Sequence, residues 1–267
     1  MRYFLFFLLF LCFFSCTPNN VNVDESLGKH FKNNKVQGCF ALLDNGTGKF
    51  TIYNLGRYRD SAYLPASTFK IINSLIGLQT GKIVNDSMLI NWDRIDRGRS
   101  ECNRDMSMYD AFRISCPPWY QELARRIGKN VMQSYLDSIS YGNKTMSIID
   151  TFWLDNSLKI TPDEQLGIVK KLYFNQLPFH KINQEIVKRA MVFEDNTEYK
   201  LSYKTGWGQN NNSAHLAWLV GWIEENRHPY FFVLNFETAD LTADIRTIRL
   251  KMLKEILQQL GYMQGKR

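Results

Sequence analysis

Pro65-Ala66-Ser67-Thr68-Phe69-Lys70-Ile71-Ile72-Asn73-Ser74-Leu75-Ile76-Gly77-Leu78 is the stretch around which the rest of the chain has to be arranged. Phe69, Ile71, Ile72, Leu75, Ile76 and Leu78 are apolar on most faces of a helix, and Gly81 follows as a C-cap. The pattern predicts a buried central helix over 65–81. Ser67 and Lys70, three apart at its start, share a face, so hydroxyl and amine can meet. A serine is a poor nucleophile until a neighbouring base takes its proton. A lysine becomes that base when burial disfavours its ammonium form, and Phe69, Ile71 and Ile72 supply apolar surroundings. Ser and Lys three apart also arise often by chance, so the pair acquires meaning only from its companions.

Outward from this helix, Val36 to Leu43 and Phe50 to Tyr53 read as two strands joined by an Asn45-Gly46 turn, a hairpin signal. Tyr199 to Lys204, His215 to Glu224 and Tyr230 to Glu237 read as three further strands, and a helix runs from about Ala243 to Leu260. Between 82 and 195 the patterns are helical, as in Trp119, Tyr120, Leu123, Ala124 and Ile127, broken at Pro117-Pro118 and Tyr141-Gly142-Asn143. Strands at both ends enclosing an all-helical insertion imply a mixed α/β fold. Its antiparallel sheet is completed by the two ends of the chain and flanked by helices.

The 267 residues are 45% hydrophobic and 22% charged, a globular composition that excludes disordered, collagenous and coiled-coil classes. The net charge of +7 is scattered, with signs interleaved as in Asp93-Arg94-Ile95-Asp96-Arg97, so no nucleic-acid partner is indicated. Arg2 precedes an unbroken apolar run from Tyr3 to Phe14, which is too short for a spanning helix of about 20 residues. It reads as an export signal over 1–15, followed by a polar tether over 16–34 and one domain over 35–267. Cys16, at the end of the run, resembles the acylated cysteine of bacterial lipoproteins. The expected location is the periplasm, with a membrane tether through a lipid on Cys16. The remaining cysteines, Cys39, Cys102 and Cys116, cannot all pair with one another, so most are expected as small buried hydrophobes. The four histidines are far apart, without H-E-x-x-H or C-x-x-C, and nothing argues for a metal site.

The companions of Ser67 and Lys70 are a loop Ser115 and a strand-borne Lys204-Thr205-Gly206, together the acyl-transfer set of penicillin-interacting serine enzymes. Gly206 would let a substrate backbone approach the sheet edge. With Tyr63 to Ile71, Asn103-Arg104-Asp105, Tyr120-Gln121-Glu122, Tyr141-Gly142-Asn143, Phe152-Trp153-Leu154 and Trp218 to Glu224, the chain resembles the class D serine β-lactamases from about residue 36 to 262.

The resemblance implies a β-lactamase/DD-peptidase-like fold and hydrolysis of penicillin-type β-lactams. Ser67 would be the acylated nucleophile and Lys70 the base, as N6-carboxylysine formed with carbon dioxide or bicarbonate; no other cofactor is implied. Trp153 would stabilise that carboxylate, with Phe69 and Leu154 walling the pocket, and Ser115 would relay a proton to the lactam nitrogen. Backbone N–H groups of Ser67 and Trp207 would form the oxyanion hole. Lys204, Thr205 and Gly206 would line the substrate strand, and Arg246 would pair with the substrate carboxylate. Pro117 stands where the family carries a small branched residue, so the wall beside Lys70 is expected to differ in shape. The alternative is a β-lactam sensor or penicillin-binding protein that is acylated without turnover. Sensors carry multi-helix membrane segments, and the single short apolar run here favours the enzyme. Substrate spectrum and oligomeric state are not legible.

Overall fold

Residues 20–266 are described by a computed structural model, and the stretch expected to be an export signal, with Cys16, lies outside them. The strands are β1 Val21–Val23, β2 Gln37–Asp44, β3 Phe50–Tyr53, β4 Leu89–Ile90, β5 Met106–Ser107, β6 Val192–Asp195, β7 Lys200–Gln209, β8 His215–Glu225 and β9 His228–Thr238. Seven of these form one sheet in the order β1-β3-β2-β9-β8-β7-β6, antiparallel throughout except where β1 runs parallel to β3. The chain ends thus meet at the centre, where β2 pairs with β9, as the strand patterns predicted.

The helices are α1 Gly28–Asn33, α2 Leu55–Asp60, α3 Lys70–Gln79, α4 Met108–Arg113, α5 Pro117–Ile127, α6 Lys129–Ser138, α7 Pro162–Tyr173, α8 Lys181–Met191 and α9 Ile245–Gln259. Alternation along the strands divides the core in two. Trp218, Val220 and Trp222 of β8 join the cluster that contains Ile71, Ile72 and Leu75 of α3. Ala217, Leu219 and Ile223 face the opposite layer, with Met252, Leu253 and Ile256 of α9. Ile71 to Leu78 are buried around α3, in agreement with the apolar residues found on most of its faces.

Three expectations are corrected. Residues 20–34 are not a tether: β1 pairs with β3, and Leu27 and Phe31 are 0% and 2% exposed in the α9-side cluster. Their polar neighbours masked two apolar anchors. The middle of the chain is not all-helical, because β4 pairs with β5 and β6 joins the main sheet; these strands are too short to show a period. Cys102 and Cys116 form a disulfide, their Cα atoms 5.8 Å apart, and only Cys39 is a free buried thiol among the described residues. Cysteine spacing cannot announce such a pairing, which needs the intervening chain to turn back on itself.

Candidate active site

Ser67 is carried on a short 3-10 turn, Ala66–Phe69, that leads directly into α3. The turn is tied down from three sides. The Ala66 N–H donates to the Trp153 carbonyl at 3.0 Å, Thr68 Oγ1 donates to the Pro65 carbonyl at 2.7 Å, and Gln165 Nε2 from α7 donates to Thr68 Oγ1 at 2.6 Å. Ala66 has φ +47°, a left-handed conformation that the surrounding bonds hold in place just before the nucleophile. Lys70 points back along the helix, as side chains three apart do, and its Nζ lies 2.6 Å from Ser67 Oγ.

Lys70 is 1% exposed and its Nζ is 5.4 Å from the centroid of the Tyr120 ring. Burial, with the Arg99 charge adding to it, brings its pKa from the ordinary 10.5 down to about 7. A half-neutral amine at neutral pH beside a serine hydroxyl is a competent general base. Across the site, Lys204 Nζ donates to Ser115 Oγ at 2.9 Å. Burial, then the charges of Lys70, Arg249 and Arg99, hold the Lys204 pKa well below its usual value.

The edge of β7 explains the Lys204-Thr205-Gly206 triplet. β6 pairs only with Lys200 to Ser202, so beyond Ser202 the strand has β8 on one side and no strand on the other. Thr205 and Trp207 line an open cleft of about 470 Å³ together with Ser67, Ser115, Leu154 and Arg246. Gly206 serves a purpose beyond the one read from the sequence: a Cβ there would come 3.1 Å from the Pro65 carbonyl oxygen and from Trp218 Cβ. Its missing side chain lets the Ser67 turn pack directly against β7.

Trp153 is 0% exposed, stacks on Phe69 with ring centroids 5.5 Å apart, and its indole N–H has no hydrogen-bond partner. A buried N–H left unpaired costs about 1–3 kcal/mol, a cost that an acceptor arriving beside it would relieve. A carboxylate built on Lys70 is an acceptor of that kind, and the residues present therefore fit the modification. Pro117 is the first residue of α5, the helix position where proline loses nothing because that N–H is unpaired in any helix. It lines the cleft.

Sequence reasoning missed two arginines. Arg249 is half-buried in α9, lines the cleft beside Arg246 and donates to the Gly206 carbonyl at 3.1 Å. Burial, with the Arg246 charge beside it, lowers its pKa to about 10. Arg246 is exposed at the rim. The spacing of three places both on one helix flank, and nothing in the sequence distinguishes them. Arg99 donates to the Ser115 and Ile114 carbonyls at 3.2 and 3.0 Å, and no local pattern pointed to it.

A family described as the penicillin-binding protein transpeptidase domain matches residues 30–258. The OXA-5 β-lactamase of Pseudomonas aeruginosa is 38% identical over 234 residues, covering 86% of this chain and 87% of that protein. The crystal structure of a class D β-lactamase from Nostoc superposes with a TM-score of 0.84 at 35% identity, covering 91% of this chain and all of that one. The C-terminal domain of the Bacillus licheniformis BlaR penicillin receptor superposes with a TM-score of 0.85 at 32% identity, covering 91% and 97%. With Ser67 and Ser115 lining one cleft, each partnered by a buried lysine, these similarities show that the chain belongs to the class D β-lactamase family.

Proposed function

We propose that this protein hydrolyses β-lactams, penicillins among them, through an acyl-enzyme on Ser67. The observation that carries the reading is the 2.6 Å contact between Ser67 Oγ and a buried Lys70 amine whose pKa lies at about 7. Lys70 takes the Ser67 proton as Oγ attacks the lactam carbonyl, and the Ser67 and Trp207 backbone N–H groups stabilise the oxyanion. Ser115, supplied with protons from Lys204, protonates the lactam nitrogen as the C–N bond breaks. The arginines of α9 pair with the substrate carboxylate. Carbon dioxide bound to Lys70 would supply an anionic base suited to activating the deacylating water, with the unpaired Trp153 N–H as the donor to hold it. Trp153 holds its N–H in a dry apolar wall, where a hydrogen bond to an anion is strong.

Export to the periplasm and lipid attachment at Cys16 belong to the same proposal. The Cys102–Cys116 disulfide supports an oxidising compartment, and labelled palmitate incorporated by the wild type and lost in Cys16→Ala tests the anchor.

Intact mass followed over time after adding a penicillin, with Ser67→Ala as control, tests the catalytic reading. An adduct that vanishes as hydrolysed penicillin accumulates supports hydrolysis. The likeness to the BlaR domain favours one other outcome, a sensor, and an adduct lasting for hours would establish it.

A further inference from the structure

Ser115 has φ +58°, the left-handed region that a residue bearing a Cβ occupies only when its surroundings hold it there. The backbone on either side contributes: Ser115 N–H donates to the Phe112 carbonyl at 3.2 Å and Cys116 N–H to the Ala111 carbonyl at 2.9 Å. The rest of the restraint comes from the loop before β5. Arg99 Nη1 and Nη2 reach the Ser115 and Ile114 carbonyl oxygens at 3.2 and 3.0 Å, a cation placed on the last carbonyls of α4. Glu101 aims that guanidinium, accepting from Nε at 3.0 Å and from Nη2 at 2.7 Å. Cys102, next to Glu101, is bonded to Cys116, next to Ser115, and both are buried at 5% and 1% exposure. The segments 99–102 and 114–116 are thus stapled twice, once by the arginine fork and once covalently.

We propose that Arg99 and the Cys102–Cys116 disulfide are positioning residues for Ser115, locking its left-handed backbone so that its hydroxyl stays on Lys204 Nζ. The proposal rests on the catalytic reading above and explains how this chain aims the proton relay. A serine released to the ordinary φ range turns its Cβ away and carries Oγ off Lys204. Thr205, Trp207 and Arg249 stand on β7 and α9, so substrate binding does not depend on the brace. The loss therefore falls on the acylation step. The Arg99 charge also disfavours the ammonium forms of Lys70 and Lys204, so the rate constants compared are those of the high-pH plateau, where Lys70 is neutral in every variant.

The test is a double-mutant cycle on the full chain, reading the acylation rate constant and penicillin affinity by rapid-quench intact mass. Arg99→Gln is expected to slow acylation about tenfold with affinity changed less than about twofold, and Arg99→Lys, which keeps the charge but on a single nitrogen, to recover part of the loss. In a Ser115→Ala background the same Arg99→Gln change is expected to have less than about a twofold effect, because there is no hydroxyl left to position. Cys102→Ala/Cys116→Ala is expected to behave like Arg99→Gln. So is wild type treated with a phosphine, in which the S–S bond takes up two electrons and two protons while the phosphine becomes its oxide. Equal losses from Arg99→Gln in both backgrounds would overturn the proposal, as would a Cys102→Ala/Cys116→Ala protein that melts normally and acylates at the wild-type rate. Should that variant melt below the assay temperature, the Arg99 cycle, with the disulfide intact, decides alone. A wild type that penicillin never acylates overturns the catalytic reading and this proposal together; normal acylation with additive losses overturns only this proposal.

Discussion

Lys204 Nζ donates to the Ser115 hydroxyl across 2.9 Å, although the two residues are 89 positions apart in the chain. Lys70 stands in the same relation to Ser67, so each buried amine is partnered by a hydroxyl. A hydroxyl stabilises an ammonium far less than a carboxylate does, and desolvation wins.

The acylation rate is therefore expected to rise with pH through about 7, as Lys70 loses its proton, and to fall on the acid side. Stability follows the same group. Lys70 titrates at about 7 when folded and near the ordinary 10.5 when unfolded, so the unfolded chain binds more protons between those values. Unfolding free energy is expected to increase with pH across that window, with the full cost of charging present below it, on the order of 5 kcal/mol. Lys70→Met should remove the Lys70 share of the slope in denaturant titrations, leaving the share that comes from Lys204. A slope unchanged by Lys70→Met would mean that the amine is not depressed.

Trp153 presents a donor without an acceptor. Trp153→Phe is expected to leave acylation nearly intact and to slow deacylation by about 10–100-fold, the value of one charge-assisted hydrogen bond. Added bicarbonate should raise wild-type turnover and raise that of Trp153→Phe much less. Equal responses in the two proteins, measured at steady state, would separate the indole from the modified lysine.

The two arginines of α9 differ in burial and in their contact with the substrate strand. Arg249→Ala is expected to raise KM for penicillins by about 10–100-fold, since a half-buried bidentate partner is lost. The exposed Arg246 makes a screened contact, and its alanine variant should change KM by about fivefold or less, an effect that fades with added salt. The reverse order in initial-rate assays would return the carboxylate to Arg246.

Gly221 lies in β8 opposite Tyr203, and a Cβ there would overlap the Ser202 carbonyl and lie 2.7 Å from Tyr203 Cα. Gly221→Ala forces β7 away from β8, with an expected loss of about 3 kcal/mol or more. Thermal denaturation within a few degrees of wild type would show that the ladder absorbs the methyl group.

Much of the fold was legible because its signals are local. The apolar residues around α3 and the aromatic and aliphatic run of β8 are properties of short windows, and burial on both sides of the sheet makes them strong. β4, β5 and β6 were not legible, since strands of two to four residues show no period. Leu27 and Phe31 were hidden for a similar reason, being isolated anchors in a polar stretch whose burial depends on α9 at the far end of the chain.

The site divides along the same line. Ser67 and Lys70 could be paired from the sequence because helical geometry alone brings residues three apart together. That Lys204 meets Ser115, that Trp153 keeps an unshared N–H, that Arg249 is the more buried of two arginines, and that Cys102 finds Cys116 are relations between distant segments. Only the closed fold decides them, because long-range packing chooses which side chains lose water and which neighbours they then have in its place.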